Sequence, residues 1–250
     1  MSANDAPRYT TVSELEPALA EALLCWGLAL ADTKHRMGRR LSEWVNGAPA
    51  LEAAVGAAAM TQDELGHARS LFAMLRDLPG APAELNSETD LDRTEFFNPT
   101  FLDTPWDSWM DVVAVNVLLD QALMFVFEAA RGSQFGPLGQ RAGKVLQEEE
   151  FHRVFGESWL MRLAKSNAAE KLQASIDRAW PVALAWFGPD EDVATGALVK
   201  AGILKLSPLE LRERWSSRVN ALLQKAGLRV PDTQVDWSKW DVTRREVRSE

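Results

Sequence analysis

The sequence has little of what disulfide-bonded, nucleic-acid-binding or membrane proteins need. A single cysteine, Cys25, allows no disulfide within the chain, which fits a reducing compartment. The formal net charge of −9 argues against nucleic acid as a partner, because phosphate binding needs clustered Lys and Arg. The first ten residues lack signal-peptide order, and the apolar stretch 21–31 is too short to span a bilayer. We therefore expect a cytoplasmic protein that binds neither nucleic acid nor membrane.

Strand signals are also scarce, whereas helix signals recur along the chain. Sustained apolar–polar alternation is missing. Hydrophobic residues make up 46% of the sequence, which is ordinary for a globular protein. Capping residues and prolines predict four core helices that begin near Ser13, Pro49, Pro105 and Pro137 and end near residues 44, 78, 131 and 165. A polar crossover at 81–103 joins the two predicted hairpins, as in ferritin-like bundles. We therefore predict an all-α, ferritin-like four-helix bundle.

The remaining third of the chain predicts extra helices and a tail on the same domain. A fifth helix is expected at about 168–187, with a kink at Pro181. Ser207 and Glu210 have capping-box spacing and start a shorter helix that runs to about Ala226. Residues 228–250 are expected to be extended or irregular, with Trp237 and Trp240 docked on a surface and the last charged residues mobile. One ferritin-like domain, 1–250, with its core bundle at about 12–166, is the predicted organisation.

Two of the three histidines repeat one motif. His67 follows Glu64 by three residues, and His152 follows Glu149 by three residues. On a helix, this spacing places both side chains on one face about a turn apart, so that both can reach one metal ion. Asp63 can hold a ligand histidine through its other ring nitrogen, as an outer-shell carboxylate. The repeated motif indicates a metal site inside the bundle.

Each predicted hairpin also offers an aspartate opposite its Glu-x-x-His pair. Residues equidistant from the turn of an antiparallel hairpin lie side by side. Asp32 mirrors Glu64 about residue 48, and Asp120 mirrors Glu149 about the turn between residues 134 and 135. Asp120 also lies in an apolar run, where an unpaired charge is costly. The pattern thus predicts six metal ligands on four helices, namely Asp32, Glu64, His67, Asp120, Glu149 and His152.

A simpler interpretation treats the same residues as structural. The Glu-x-x-His pairs can be solvated surface pairs, and the mirror matches can be coincidental. His35 shares a helix face with Asp32 but lies in the basic run 34–40, which is most simply a solvated face, so a surface role is favoured for it. Repetition of the motif in two hairpins favours the metal site.

With these residues in hand, the chain resembles the oxygenase-component subunits of phenylacetyl-CoA epoxidase, a multicomponent di-iron monooxygenase. Residues 40–44 and 48–49 are similar to the non-catalytic, structural subunit. Residues 62–67 and 148–152, the segment 180–189 and the tail 227–232 resemble the catalytic subunit. The resemblance implies metal-ligand roles for the two Glu-x-x-His motifs and Asp120. In the first helix the catalytic subunit has a glutamate, and a gapless alignment puts Lys34 near its place, whereas the mirror argument prefers Asp32.

The resemblance implies a cofactor, a reaction and partners. Two iron ions (or manganese) on the carboxylates would use O₂ to oxygenate an aromatic or unsaturated acyl-CoA in phenylacetate catabolism. A separate reductase and other oxygenase subunits would be needed, because the sequence has no dinucleotide fingerprint and no cysteine cluster. Two alternatives stay open: a non-catalytic structural partner subunit, and a stand-alone ferritin-like oxidase or iron-handling protein.

Assembly is predicted from tryptophans. The segments 106–109 and 237–240 hold more tryptophan than a solvated surface needs. We therefore expect a homo-oligomer or a larger complex.

Overall fold

A computed structural model of the chain describes residues 8–86 and 93–248. Its main helices are α1 (Pro17–Glu43), α2 (Leu51–Leu75), α3 (Trp109–Val115), α4 (Gln121–Ala130), α5 (Gly136–Ala164), α6 (Ala169–Trp186), α7 (Val193–Lys200) and α8 (Pro208–Ala226). A π-helical turn, Asn116–Asp120, joins α3 to α4 without a break. Short 3₁₀ turns lie at Val12–Glu14, Ala83–Asn86, Thr100–Asp103 and Trp237–Lys239. The predicted all-α, ferritin-like bundle with additional C-terminal helices is confirmed.

The bundle core consists of two helical hairpins joined by the crossover. α1 packs along α2, α4 packs along α5, and α2 contacts α5 across the bundle. Two crossover positions, Phe97 and Asn98, turn inward, and Asn98 is fully buried. Residues 87–92 of the predicted crossover lie outside the described residues. This arrangement brings four helices together around one interior site.

Two of the four predicted helix starts are accurate and two are wrong by four residues. α2 and α5 begin within two residues of Pro49 and Pro137. α1 begins at Pro17 rather than Ser13, because the carboxylate of Glu14 accepts the backbone N–H of Thr11 and closes a separate 3₁₀ turn. α3 begins at Trp109 rather than Pro105, because the capping box is formed by Ser108 and Asp111.

The segment Trp109–Ala130 is the most apolar helix of the described chain. Its mean hydropathy of 1.7 and its length would suffice to cross a membrane, but 83% of it is buried inside the protein. Central core helices of globular proteins have this character, because they are covered by protein on all sides. The segment supplies Asp120 to the interior site.

The C-terminal third adds structure that the sequence predicts only in part. The predicted helix after Ser207 is confirmed, with its Ser207–Glu210 capping box. Helix α7 was not predicted, and the tail is not simply extended, because Trp240–Asp241 pairs antiparallel with Glu246–Val247. The guanidinium of Arg245 is buried and donates to the carbonyls of Trp186 and Phe187. Arg245, one of the last charged residues, therefore packs into the body, and mobility of the final residues stays a prediction.

The tryptophans used to predict assembly are not all at the surface. Trp106 and Trp109 are buried within the chain, so the first segment is not an exposed surface. Trp240 is half-buried and donates to the carbonyl of Ala185 at 3.0 Å, which confirms that this part of the tail docks on the body. Large exposed apolar side chains occur elsewhere, at Leu51, Val55, Phe151, Val154 and Val193 among others. Oligomerisation itself stays a prediction.

Candidate metal centre

Three elements bring four metal-ligating side chains together in the bundle interior. α2 supplies Glu64, the π-helical turn supplies Asp120, and α5 supplies Glu149 and His152. Each is at most 2% exposed, and one ligand atom from each lies within 4.8 Å of the others. Carboxylate oxygens and an imidazole nitrogen in this arrangement could hold a metal ion.

The fourth helix, α1, contributes a cation to the same cluster. The ammonium of Lys34 is fully buried and donates to Glu149 Oε1 at 2.5 Å, Asp120 Oδ1 at 2.7 Å and Glu64 Oε1 at 3.0 Å. The ring of Phe127 lies 5.9 Å from the ammonium nitrogen. Lys34 therefore lies at the corner of the bundle for which the sequence analysis gave Asp32 and Lys34 as alternatives.

The carboxylates divide their oxygens between two sides of the cluster. Asp120 and Glu149 each give one oxygen to Lys34 and turn the other towards His152 Nδ1, at 3.2 Å and 3.5 Å. Glu64 Oε1 lies 3.0 Å from the ammonium and 3.4 Å from the same ring nitrogen, whereas Glu64 Oε2 has no hydrogen-bond partner in the described part of the chain. The three acids thus bridge two positions, one occupied by an ammonium and one beside a histidine.

The two Glu-x-x-His motifs are held in a reciprocal way. Asp63 Oδ2, on α2, lies 3.3 Å from Nε2 of His152 on α5. Glu148 Oε2, on α5, lies 2.8 Å from Nε2 of His67 on α2. In each case the residue before the cluster glutamate reaches the histidine of the opposite helix and leaves Nδ1 facing the cluster. Histidines that bind metals are typically held by a carboxylate in this manner.

The π-helical turn places Asp120. Asn116 Nδ2 donates to Asp120 Oδ2 at 3.2 Å, from one turn earlier. Gly156 on α5 leaves room for this asparagine, because a Cβ at that position would lie 1.6 Å from Asn116 Oδ1. π-Helical turns inside α-helices frequently occur at functional sites, and this one aims an acid at the cluster.

The charges of Lys34 and Asp120 reinforce one another. Burial opposes the charged form of Lys34, but the carboxylates of Asp120, Glu149 and Glu64 outweigh burial and raise its pKa above the ordinary value. Burial likewise opposes ionisation of Asp120, but Lys34 and His152 hold the pKa of that carboxyl well below its usual range. A buried ion pair of this geometry keeps both groups charged.

The other acids and the histidines are shifted by the same field. Burial and the charge of Asp120 raise the pKa of Glu149 to about 8, and burial raises the pKa of Glu64. Burial opposes protonation of His152, but Glu149 and the hydrogen bonds from Asp120 and Asp63 raise its pKa. Burial and two nearby cations lower the pKa of His67 to about 3. Lys34 and His152 thus lie where they offset negative charge on the surrounding carboxyl groups.

Asp32 lies outside this cluster. Its two carboxylate oxygens accept from Arg93 Nη1 at 2.5 Å and Nη2 at 2.8 Å, and the backbone N–H of Phe97 adds a third bond. The mirror argument fixed the register of α1 to within two residues, and two residues correspond to a rotation of about 200° around a helix. Asp32 therefore faces the crossover, whereas Lys34 faces the carboxylates.

The prediction that residues 34–40 form a solvated basic face is wrong for Lys34 and His35. Lys34 is fully buried and His35 is 9% exposed, with its ring stacked on Phe96 at an interplanar angle of 7°. Sequence reasoning also missed Glu148, Asn116 and Arg93 as residues that support the site. The position of Glu148 before Glu149, which repeats that of Asp63 before Glu64, was the available signal for the first of these.

The fold and the cluster define the class of protein, which is a ferritin-like helix bundle with a buried carboxylate–histidine group that could hold a metal ion. The model of the phenylacetic acid catabolic protein family matches residues 10–244. The chain belongs to that family.

Two components of one enzyme from Escherichia coli K12 are similar to this chain. The C subunit of 1,2-phenylacetyl-CoA epoxidase is 29% identical over 215 residues, which cover 85% of this chain and 85% of that protein. The A subunit of the same enzyme is 30% identical over 193 residues, which cover 76% of this chain and 62% of that protein. The family resemblance found in the motifs is confirmed.

Proposed function

We propose that this chain is a non-catalytic partner subunit of a phenylacetyl-CoA epoxidase-type complex. The observation that carries the proposal is the ammonium of Lys34, which contacts all three buried carboxylates at 2.5–3.0 Å. A positive charge supplied by the chain itself does there what a metal cation does in a di-iron bundle. It balances and orients the acids without supplying redox chemistry.

A pair of iron ions does not fit this donor set. Metal–oxygen bonds are about 2.0–2.6 Å long, and paired ions lie about 3.5–4 Å apart between their bridging carboxylates. Lys34 stands almost at bonding distance from one oxygen of Glu64, Asp120 and Glu149, within the space that one ion of such a pair would need. An ammonium there also adds a fixed positive charge that repels a second divalent cation. We therefore derive no oxygenation step through this site.

Similarity to the relatives supports the proposal. The aligned region spans 85% of the length of the C subunit but 62% of that of the A subunit. Both relatives are named as components of an epoxidase, which favours a role in a complex over a stand-alone oxidase or iron-handling protein. This chain has both Glu-x-x-His motifs, while α1 carries Lys34 at the corner where a dimetal bundle uses a fourth acid.

An exposed apolar face on the outside of α2 and α5 supports a partner subunit. Leu51, Val55, Phe151 and Val154 are 46–78% exposed and line a groove of about 600 Å³. Contiguous apolar surfaces of this kind mark protein contacts. We assign the groove to a catalytic-type subunit of the same complex, because the two relatives are different components of one enzyme.

Affinity purification from the source cells, followed by mass spectrometry and an epoxidation assay, tests the proposal. The expected result is capture of a protein similar to the epoxidase A subunit, with phenylacetyl-CoA turnover in the captured complex and none with this chain and a reductase alone. Val55→Asp is expected to weaken capture at least tenfold. The matched Val193→Asp, at a site 85% exposed and outside the groove, is expected to leave it unchanged. Reductase-dependent turnover by this chain alone would overturn the proposal.

The second candidate is the di-iron oxygenase subunit predicted from the sequence. Five of its six proposed ligands, Glu64, His67, Asp120, Glu149 and His152, face one interior site, which favours this candidate. Two irons on these residues would supply O₂ activation for oxygenation of an aromatic or unsaturated acyl-CoA. Two irons per purified chain, together with dependence on reductase, O₂ and acyl-CoA, would favour it over the partner subunit.

A further inference from the structure

We propose that the cluster is a two-cation site in which Lys34 fills one position and a single divalent metal ion binds at the other, beside His152 Nδ1. This goes beyond the partner-subunit function, because it gives such a subunit its own metal site. The donors are His152 Nδ1, Asp120 Oδ2, Glu149 Oε2 and Glu64, all on α2, the π-helical turn and α5.

The spacing of the donor atoms around His152 fits one ion. Nδ1 lies 3.2 Å from Asp120 Oδ2, 3.4 Å from Glu64 Oε1 and 3.5 Å from Glu149 Oε2. Four ligands in a tetrahedron with bonds of about 2.0–2.2 Å are separated by about 3.3–3.6 Å. The Asp120 and Glu149 oxygens that Lys34 does not use therefore lie from the ring nitrogen at about the separation of ligands that share one ion.

One buried oxygen of the cluster has no partner in the described part of the chain. Glu64 is fully buried, yet its Oε2 has no hydrogen-bond partner among the described residues. A buried carboxylate oxygen without a partner is costly, and a cation that binds Glu64 through Oε2 would remove that cost. Because Lys34 uses Oε1, the second oxygen can serve the second cation.

The histidine on this side is prepared as a ligand. Asp63 Oδ2 lies 3.3 Å from His152 Nε2, so the ring can donate Nε2–H to the acid and present a bare Nδ1 to a metal.

His67 is also held by an outer carboxylate, Glu148, but fewer acid oxygens lie near its Nδ1. Among the described residues, Glu149 Oε1 is the one carboxylate oxygen within 4.0 Å of its Nδ1, at 3.5 Å, and Lys34 already uses that oxygen. The position beside His67 is therefore the one that the ammonium has replaced.

The oxygen-rich donor set around His152, with its one imidazole, suits ferrous or manganous ions.

Titration of the full-length protein with Mn(II) alone, under anaerobic conditions, tests the inference. Bound metal is counted by elemental analysis after desalting, and free Mn(II) is counted by electron paramagnetic resonance. The expected result is about one Mn(II) per wild-type chain, with one directly coordinated imidazole nitrogen in the pulsed spectrum. His152→Gln is expected to weaken binding at least tenfold. His35→Gln, a buried histidine outside the donor set, is the matched control and should retain the ion.

The outcomes separate this inference from the proposed function. No bound Mn(II) in the wild type overturns the metal site and leaves the partner-subunit function standing. Two ions per chain contradict both, because Lys34 would then not fill a cation position. Loss of the ion in His67→Gln but not in His152→Gln overturns the assignment of the donor set. The pulsed spectrum of the wild type decides the matter even where a variant fails to fold.

Discussion

The elements around the cluster form two pairs that contribute different side chains, α2 with α5 and α1 with the π-helical turn before α4. α2 and α5 carry the same pattern, an acid followed by Glu-x-x-His, and each holds the other's histidine through Asp63 or Glu148. At the equivalent corners of the bundle, the region preceding α4 supplies Asp120 whereas α1 supplies Lys34. The two Glu-x-x-His motifs are therefore arranged almost symmetrically, whereas the two remaining corners carry opposite charges.

This difference separates two properties of the site, the placement of its histidines and the balance of its charge. The histidines depend on residues three apart on a helix, and the packing of α2 on α5 holds them in place. A single lysine on α1 supplies a positive charge to the three acids. Shape and charge are thus satisfied separately, and each can be tested by itself.

The largest expected effect is the loss of the ammonium. Lys34→Met, measured by urea unfolding in the presence of a chelator, should lower the free energy of unfolding by about 3–5 kcal/mol, because three buried carboxyl groups lose their cation. Lys171→Met, at an exposed position on α6, should change it by less than about 0.5 kcal/mol. A Lys34→Met protein as stable as the wild type would break the comparison.

Asp32 should matter for stability but not for metal. Asp32→Asn should lower the free energy of unfolding by about 1.5–3 kcal/mol, because the buried Arg93, which donates two hydrogen bonds to Asp32, loses its charged partner. Asp190→Asn, which removes the partner of Arg212 at the surface, should cost at most about 1 kcal/mol. Urea unfolding gives both values, and elemental analysis should find unchanged metal in each variant. A fall in bound metal for Asp32→Asn would return that residue to the ligand set.

The π-helical turn gives a smaller effect of known direction. Gly156→Ala should destabilise by about 1–3 kcal/mol, because its Cβ would displace Asn116 from the bond that holds Asp120. Gly143→Ala lies on the same helix with open space around it and should stabilise by about 0.5–1 kcal/mol. Thermal unfolding of the pair measures the difference, and equal melting temperatures would contradict the packing described.

A further expected effect is a change in how the stability depends on pH. Because the pKa of Glu149 is raised from 4.5 to about 8, the folded state keeps a proton that the unfolded chain releases, so this group's stabilisation is lost as pH rises from about 4.5 to 8. Glu149→Gln removes that titration and should flatten the decline of the unfolding free energy over this range. Glu148→Gln, one residue earlier and partly exposed, should keep the wild-type slope. A wild-type slope in Glu149→Gln would show that the acid is ionised when folded.

Much of the fold could be predicted, because helix periodicity and punctuation are local properties of a sequence. The repeated motif likewise placed Glu64, Glu149 and both histidines on interior faces, since spacing on one helix fixes their relative direction. The register of α1 could not be fixed in this way. A two-residue shift decides between Asp32 and Lys34, and it depends on where α1 ends and α2 begins, at Glu43 and Leu51.

Residues that are distant in sequence were the hardest to foresee. Arg93 pairs with Asp32 across the crossover, although the two residues are 61 positions apart in the chain. No local pattern signals this contact. Burial of a lysine is costly in isolation, so the basic run at 34–40 favoured a solvated face until the surrounding acids were known.

The most direct test of the account is the metal capacity of Lys34→Glu. Restoring an acid at this corner removes the ammonium and supplies the fourth carboxylate that a dimetal bundle uses. Anaerobic loading with Fe(II), followed by elemental analysis, should find one more iron per chain in Lys34→Glu than in the wild type. The exposed Lys171→Glu, with the same change of charge, should match the wild type. An unchanged iron count in a folded Lys34→Glu protein, or two irons in the wild type, would contradict the claim that Lys34 takes the place of a metal cation.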